Sequence, residues 1–188
     1  MSDGPYRSLP MRRACKRLAM RAQKSAFDPQ EVGEAVGPAL TAHWADEVRS
    51  DLVAELRKLC SDRQGSFFED KAAAFDRLRR VNAGAGTLGG AFIDCCEQAF
   101  AEGLHGNDAL RHAGDAALMD RALRDARTIE EHYFREGSAK QATRVHARIL
   151  DGIARASIDA LAKRLIAHGT ASRTPPKRGG LDEGVALP

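Results

Sequence analysis

The sequence predicts an all-α protein, and its composition and its hydrophobic pattern both point to that fold class. Val, Ile and Thr, which favour strands, make up only 19 of the 188 residues, whereas Ala, Leu, Arg and Glu are abundant. Apolar residues recur every three or four positions, and no stretch alternates apolar and polar residues with a period of two. We therefore expect one domain over residues 1–169, a compact bundle of about six helices. Residues 170–188 are polar and rich in Pro and Gly, and they are predicted to be a mobile tail.

A first helix is predicted over residues 8–26, with Ser8 as its N-terminal cap. Met11, Cys15 and Leu18 are spaced three or four residues apart, which predicts one apolar face packed on the core. Basic side chains occupy much of the remaining surface, and they form the predicted binding site for an anionic partner: Arg12, Arg13, Lys16, Arg17, Arg21 and Lys24.

The next helices are bounded by prolines and by capping residues. Asp28 followed by proline predicts a helix start, and Pro38 is expected to interrupt that helix because its ring clashes with the preceding turn. A long helix should then run from Pro38 to about Leu59. Ser66 is expected to cap a further helix, in which Phe68, Ala72, Phe75 and Leu78 face inward.

Two long helices are predicted in the second half of the chain. Asn107 or Asp108 is expected to cap the first of them, which continues to about Phe134. Ser138 opens a capping box for the last helix, which should end at Gly169.

The stretch VNAGAGTLGGAF contains a G-x-G-x-x-G pattern in Gly84, Gly86 and Gly89. In dinucleotide-binding folds this pattern follows a strand, so that backbone N–H groups at the start of a helix face the pyrophosphate. Here an amphipathic helical segment precedes the glycines, and neither G-K-S nor G-K-T occurs. We therefore interpret the glycines as a turn between two helices, and we predict no cofactor.

Charge is segregated along the chain. Residues 1–27 contain seven Lys or Arg and one acid, residues 28–62 contain eight acids and three bases, and residues 137–169 contain six bases and two acids. The basic first helix could bind nucleic acid or an acidic protein, or it could pack on the acidic segment of its own chain. No aromatic residue is interleaved with its bases, so base stacking is not indicated. Its apolar face consists of Ala, Cys and Met rather than Trp or Phe, which argues against a membrane partner.

The stretch RTIEEH, from Arg127 to His132, resembles the R-x4-6-H motif of the HEPN ribonucleases. That family is all-α, and the resemblance implies an Arg and a His that act across a dimer to cleave RNA without a metal ion. In this chain the arginine is followed by Thr128, where the family usually has Asn, Asp or His.

A weaker candidate is a metal site formed by His105, Asp108, His112 and Asp115, whose spacing places them along one helical face. A complete site would need further ligands from another helix.

The four cysteines, Cys15, Cys60, Cys95 and Cys96, show no C-x-x-C spacing and are expected to be reduced thiols of a cytosolic protein. Cys15 lies among basic residues that could lower its pKa and make it a nucleophile, although its place on the apolar face argues for burial.

Together these observations predict a cytosolic helical interaction protein without enzymatic activity. Its basic first helix, with the basic last helix as a second surface, would bind nucleic acid or an acidic protein surface. The HEPN-like ribonuclease is the alternative, and the sequence leaves open whether the protein is a monomer or a homodimer.

Overall fold

The fold is all-α, as predicted. The structure, a computed structural model, describes residues 9–22, 28–62, 68–82, 87–133 and 139–171, and these ranges contain helices and no strand. A π-helical turn, Ala154–Ile158, joins the last two α-helices into one continuous rod. The α-helices are α1 Leu9–Ala22, α2 Pro29–Glu47, α3 Ser50–Ser61, α4 Phe68–Asn82, α5 Leu88–Ala101, α6 Gly106–Tyr133, α7 Ala139–Ile153 and α8 Asp159–Ala171.

Helix α6 is the central element of the bundle. It has 28 residues, which corresponds to a length of about 42 Å, and it packs against α1, α3, α5, α7 and α8. Small side chains on its buried face allow these neighbours to approach closely: Ala109, Ala113, Ala117, Ala122 and Ala126. These alanines belong to one hydrophobic cluster with the buried residues of the neighbouring helices.

Helices α2 and α7 cross with their backbones in contact. A Cβ atom on Gly33 would lie 2.2 Å from the carbonyl oxygen of Ile149, and a Cβ atom on Gly152 would lie 2.3 Å from the carbonyl oxygen of Gln30. No side chain larger than hydrogen fits at either position without moving a backbone, so both glycines set the distance between the two helices.

The prediction that Pro38 interrupts a helix is wrong. Helix α2 runs unbroken through Pro38, and the actual break falls at Val48 and Arg49, where the backbone is extended. The contacts of α2 explain the difference: Gly33 is locked against α7 before the proline, and Leu40 and Trp44 are buried after it. This packing on both sides outweighs the loss of one backbone hydrogen bond.

One predicted helix start agrees with the structure, and another does not. Asp28 caps α2 by accepting a hydrogen bond from the N–H of Gln30 at 3.0 Å, as predicted. Helix α6 begins at Gly106, so the prediction of a cap at Asn107 or Asp108 is wrong. The carbonyl of His105 accepts from the N–H of Asp108 at 3.2 Å and so starts the first turn of α6. Gly103 and Gly106 have positive φ, which glycine adopts readily.

Helix α8 continues through Gly169 to Ala171, two residues beyond the predicted end. Ser66, Ser138 and the tail, residues 172–188, lie outside the described residues. Within the described ranges, no helix combines the length and the hydropathy that crossing a membrane requires.

In α4, Phe75 and Leu78 are buried as predicted, but Ala72 is exposed and its neighbour Lys71 is buried instead. The reason is that Nζ of Lys71 donates hydrogen bonds to the carbonyl oxygens of Leu59 and Asp62 at the end of α3. A cation at the C-terminal end of a helix satisfies carbonyl groups that lack partners and favours the helix dipole.

Candidate functional site

Helix α1 presents two opposite faces. Met11, Cys15 and Leu18 are buried in the core, where α1 packs against α2 and α6. At about 100° per residue, the basic side chains lie on the other side of the helix. These side chains are all exposed, and we call them the basic face: Arg12, Arg13, Lys16 and Arg17.

Among the described residues, no ion pair joins Arg13, Lys16 or Arg17 to an acidic side chain. The Nε of Arg17 donates to the carbonyl of Arg13 at 3.2 Å, which keeps its side chain along the helix. Arg21 belongs to α1 but its side chain is not among those described, and Lys24 lies outside the described ranges.

Three acids of the acidic segment, residues 28–62, form ion pairs with bases that lie outside α1. Asp28 is 2.9 Å from Arg148 on α7, and Glu47 is 3.0 Å from Arg121 on α6. Asp51 pairs with Arg49 beside it. The Asp28–Arg148 pair neutralises one base of the basic last helix, whereas α1 packs on α2 through its apolar face and carries the basic face on its exposed side.

An exposed methionine lies within the basic face. The side chain of Met20 is 55% exposed, and it follows Lys16 by one helical turn on the same side of α1. A large apolar side chain among exposed bases is informative because Met and Arg are both enriched at protein interfaces.

A partly buried polar network joins α2 to α6. The indole Nε1 of Trp44 donates to Oδ2 of Asp125 at 2.8 Å, and Nε of Arg121 lies 3.3 Å from the same oxygen. The two terminal nitrogens of Arg121 donate to the two carboxylate oxygens of Glu47, each at 3.0 Å. This bidentate geometry is the strongest form of an arginine–carboxylate pair.

Glu47 also binds the start of α5. Its Oε2 accepts from the backbone N–H of Leu88 at 2.8 Å, and its Oε1 lies 2.6 Å from Nε2 of His43. Another N–H in the first turn of α5, that of Gly90, is capped by Oγ1 of Thr87 at 3.1 Å. One carboxylate therefore holds α2, α5 and α6 together.

This contact also bears on the glycine stretch. The element before it is helix α4 rather than a strand, and a carboxylate already occupies the N-terminus of α5, where a pyrophosphate would bind. Gly89 packs closely, since a Cβ atom there would lie 3.2 Å from the carbonyl oxygen of Glu47. Gly84 and Gly86 lie outside the described residues. The arrangement agrees with a helix junction.

Sequence reasoning missed this network because its two halves lie 74 residues apart. The available signal was weak. Two polar pairs are each spaced four residues apart on helices whose neighbouring positions are apolar: His43 with Glu47, and Arg121 with Asp125. A cleft of about 540 Å³ between α3 and α4 is lined by other residues: Glu55, Lys58, Leu59, Asp62, Ala74, Arg77 and Leu78. The network therefore connects helices and does not line that cleft.

The structure does not gather the four predicted metal ligands. Asp108, His112 and Asp115 are exposed on α6, and Asp108 lies 3.5 Å from Arg111. His105 precedes the helix and packs edge-on against the ring of Phe100, with 5.3 Å between ring centres. Within the described ranges, no three His, Cys, Asp or Glu side chains are placed to hold a metal ion.

The HEPN-like pair lies on one continuous helix. Arg127 is exposed on α6, and His132 belongs to the same helix, although its side chain is not among those described. Five residues along an α-helix correspond to a rotation of about 140°, so positions 127 and 132 fall on different sides of α6. The ribonuclease hypothesis stays a prediction, and it rests on the spacing of Arg127 and His132 alone.

The burial that the apolar face indicated for Cys15 is confirmed, and the alternative of a lowered pKa is wrong. Its thiol is fully buried, and burial raises its pKa from 9.0 to about 11. The basic neighbours of Cys15 in sequence point away from it, because they lie on the opposite face of α1. The residue is a small core side chain rather than a nucleophile.

Comparison with known proteins adds no assignment: no family model, no curated protein and no solved structure matches this chain.

Proposed function

We propose that this protein is a non-enzymatic cytosolic interaction protein whose basic face on α1 binds the phosphate backbone of a nucleic acid. The observation that carries the proposal is the exposure of Arg13, Lys16 and Arg17 without an acidic partner among the described side chains. Three acids of the acidic segment pair with bases outside α1 (Asp28 with Arg148, Glu47 with Arg121 and Asp51 with Arg49), which supports the proposal over neutralisation within the chain.

The chemistry of the basic face favours backbone contacts over base recognition. Three of its four members are arginines, whose planar guanidinium groups bind phosphate oxygens in a bidentate manner. No aromatic side chain on the face is available for stacking on a base. Binding should therefore depend strongly on salt and little on nucleotide sequence.

A second candidate partner is an acidic protein surface, and Met20 is the observation that favours it. A phosphate backbone offers no apolar group for a side chain that is 55% exposed, whereas a protein surface does. Under this alternative the same bases would pair with carboxylates around a small apolar contact at Met20.

Binding of a fluorescently labelled 20-base-pair DNA duplex, followed by anisotropy, tests the first proposal. Replacing Arg12, Arg13, Lys16 and Arg17 with Gln removes the charge while keeping helix propensity and most of each side-chain stem. We expect this variant to lose at least about tenfold in affinity at low salt.

A charge-matched control separates the basic face from the net charge of the protein. The control replaces one exposed lysine and three exposed arginines on α3, α4 and α6 with Gln: Lys58, Arg77, Arg80 and Arg111. It lowers the net charge by the same amount but leaves the basic face intact. If α1 is the site, the control should therefore retain wild-type affinity. Equal loss in both variants would refute a site on α1.

Position 20 distinguishes the two partner classes. Met20→Gln should leave duplex binding unchanged if only phosphates are contacted. A photo-crosslinking amino acid at position 20, irradiated in a cell extract, should label nucleic acid under the first proposal and protein under the second. Labelling of neither class would refute both.

A further inference from the structure

The cleft between α3 and α4 has an apolar floor. Leu59 on α3 and Ala74 on α4 line it and are half-buried, and Leu78 on α4, which also lines it, is 8% exposed. Its volume of about 540 Å³ lies within the range of roughly 300–1,000 Å³ that is typical of sites for small organic ligands. The cleft is therefore large enough to hold a ligand with apolar side chains.

Contacts outside the cleft hold its second wall, helix α4, in place. Near the start of α4, Nζ of Lys71 donates to the carbonyl oxygens of Leu59, at 3.1 Å, and of Asp62. Two turns further along, Nε of Arg79 donates to Oδ1 of Asp94 on α5 at 2.7 Å. Both walls are thus fixed by the fold, and neither needs a ligand to position it.

Four charged side chains, two of each sign, line the cleft and are exposed: Glu55, Lys58, Asp62 and Arg77. Among the described residues, no ion pair joins any of them to another side chain. Glu55 and Asp62 are seven residues apart on α3, which corresponds to about 10 Å along the helix, and Lys58 lies between them. A ligand in the cleft therefore meets charges of both signs spread along its length.

An exposed valine extends the apolar surface beyond the cleft. The side chain of Val81 is 69% exposed. It follows Ala74 by seven residues, or two helical turns, so both positions lie on one side of α4, with Leu78 between them. The apolar strip on α4 is thus longer than the cleft, which favours an elongated ligand over a compact one.

We propose that this cleft binds a short apolar peptide with free termini. The α-ammonium group of the peptide pairs with an acid of the rim, its carboxylate pairs with the guanidinium of Arg77, and its apolar side chains cover Leu59 and Leu78. A tripeptide spans about 10 Å when extended, which matches the spread of the rim charges. A single amino acid fits less well, because both of its charges are attached to one carbon atom.

Titration of the full-length, ¹⁵N-labelled protein with the tripeptide Leu-Ala-Leu tests the proposal. We expect saturable changes of amide chemical shifts in α3 and α4 at millimolar peptide or below. The same tripeptide with an acetylated N-terminus and an amidated C-terminus carries no charge. It should bind about five- to tenfold more weakly, since each exposed ion pair contributes modestly. Free leucine should also bind more weakly than the tripeptide.

Two alanines of α4 provide a matched pair of variants. Ala74→Trp places an indole in the cleft and should abolish binding without removing a charge. Ala73→Trp is the control, because Ala73 is exposed on the same helix and does not line the cleft, and this variant should keep wild-type affinity. Circular dichroism of both variants shows whether they fold.

A second pair of variants tests the charges and does not depend on filling the cleft. Arg77→Gln removes one exposed charge, so it should weaken binding of the free tripeptide by about two- to fivefold and leave binding of the capped tripeptide unchanged. Arg80→Gln removes an exposed arginine of α4 that does not line the cleft, and it should change neither affinity.

Three results would overturn the proposal: no saturable shift in α3 and α4 at millimolar tripeptide, equal affinity for the free and the capped tripeptide, or equal binding by folded Ala74→Trp and Ala73→Trp. None of these measurements involves a nucleic acid or a residue of α1. Their outcome is therefore independent of the proposal for the basic face.

Discussion

Replacing Glu47 with Gln should weaken the contact among α2, α5 and α6. Each carboxylate oxygen faces two donors: Oε1 faces Arg121 and His43, and Oε2 faces Arg121 and the N–H of Leu88. Whichever oxygen becomes the amide nitrogen, that nitrogen meets one donor of Arg121. The substitution therefore loses about half of the contacts and leaves a partly buried guanidinium without its full charge partner.

The expected cost follows from the burial of the pair. Breaking a fully buried ion pair costs roughly 3–5 kcal/mol, but the Glu47 side chain is 18% exposed and that of Arg121 is 11% exposed. Water can replace some of the hydrogen bonds that the Glu47 carboxylate made, and Arg121 keeps its contact with Asp125. We therefore expect the free energy of unfolding to fall by about 2–3 kcal/mol. For a chain of this length, each kcal/mol lowers Tm by roughly 2–4 °C.

The single tryptophan provides the assay, because Trp44 is buried within the same network. Urea unfolding is followed by Trp44 fluorescence and by circular dichroism, and the two transitions should coincide. Glu55→Gln is the matched control, since Glu55 is an exposed acid of the same segment, and its effect should stay within about 0.5 kcal/mol. Equal stability of the two variants would refute the role assigned to Glu47.

Two further predictions concern packing and thiol chemistry. Gly33→Ala should lower the free energy of unfolding by about 3 kcal/mol or more, because the added Cβ would lie 2.2 Å from the Ile149 carbonyl oxygen. Gly114→Ala is the control: the nearest atom, on Phe92, is 3.6 Å away, so this variant should be as stable as wild type or more stable in thermal unfolding. Cys15, with a pKa raised to about 11, should carry roughly 100-fold less thiolate than an ordinary cysteine near neutral pH. Its alkylation by iodoacetamide should be much slower in the folded protein than in urea, and equal rates would contradict its burial.

The features that the sequence predicted correctly are those that depend on local pattern. The spacing of Met11, Cys15 and Leu18 placed one face of α1 in the core, and Asp28 before a proline marked the start of α2. Both follow from helical periodicity and capping chemistry within a few residues.

The features that could not be predicted depend on contacts distant in sequence. Pro38 remains inside α2 because α7 and the core pack against the helix on both sides of the proline. Sequence rules that consider only neighbouring residues do not include this packing energy. Lys71 is buried in place of Ala72 because the end of α3 supplies carbonyl acceptors for its Nζ. The Glu47–Arg121 pair was missed for the same reason, since periodicity marks each charge as a surface residue until the partner helix is placed.

The salt dependence of nucleic-acid binding tests the central proposal most directly. For duplex DNA, the slope of log Kobs against log salt concentration changes by about 0.9 for each phosphate contact that a protein makes. If Arg12, Arg13, Lys16 and Arg17 each neutralise one phosphate, replacing all four with Gln should flatten the slope by roughly 3–4 units, while circular dichroism stays helical. An unchanged slope, with wild-type and variant proteins equally folded, would contradict binding through the basic face.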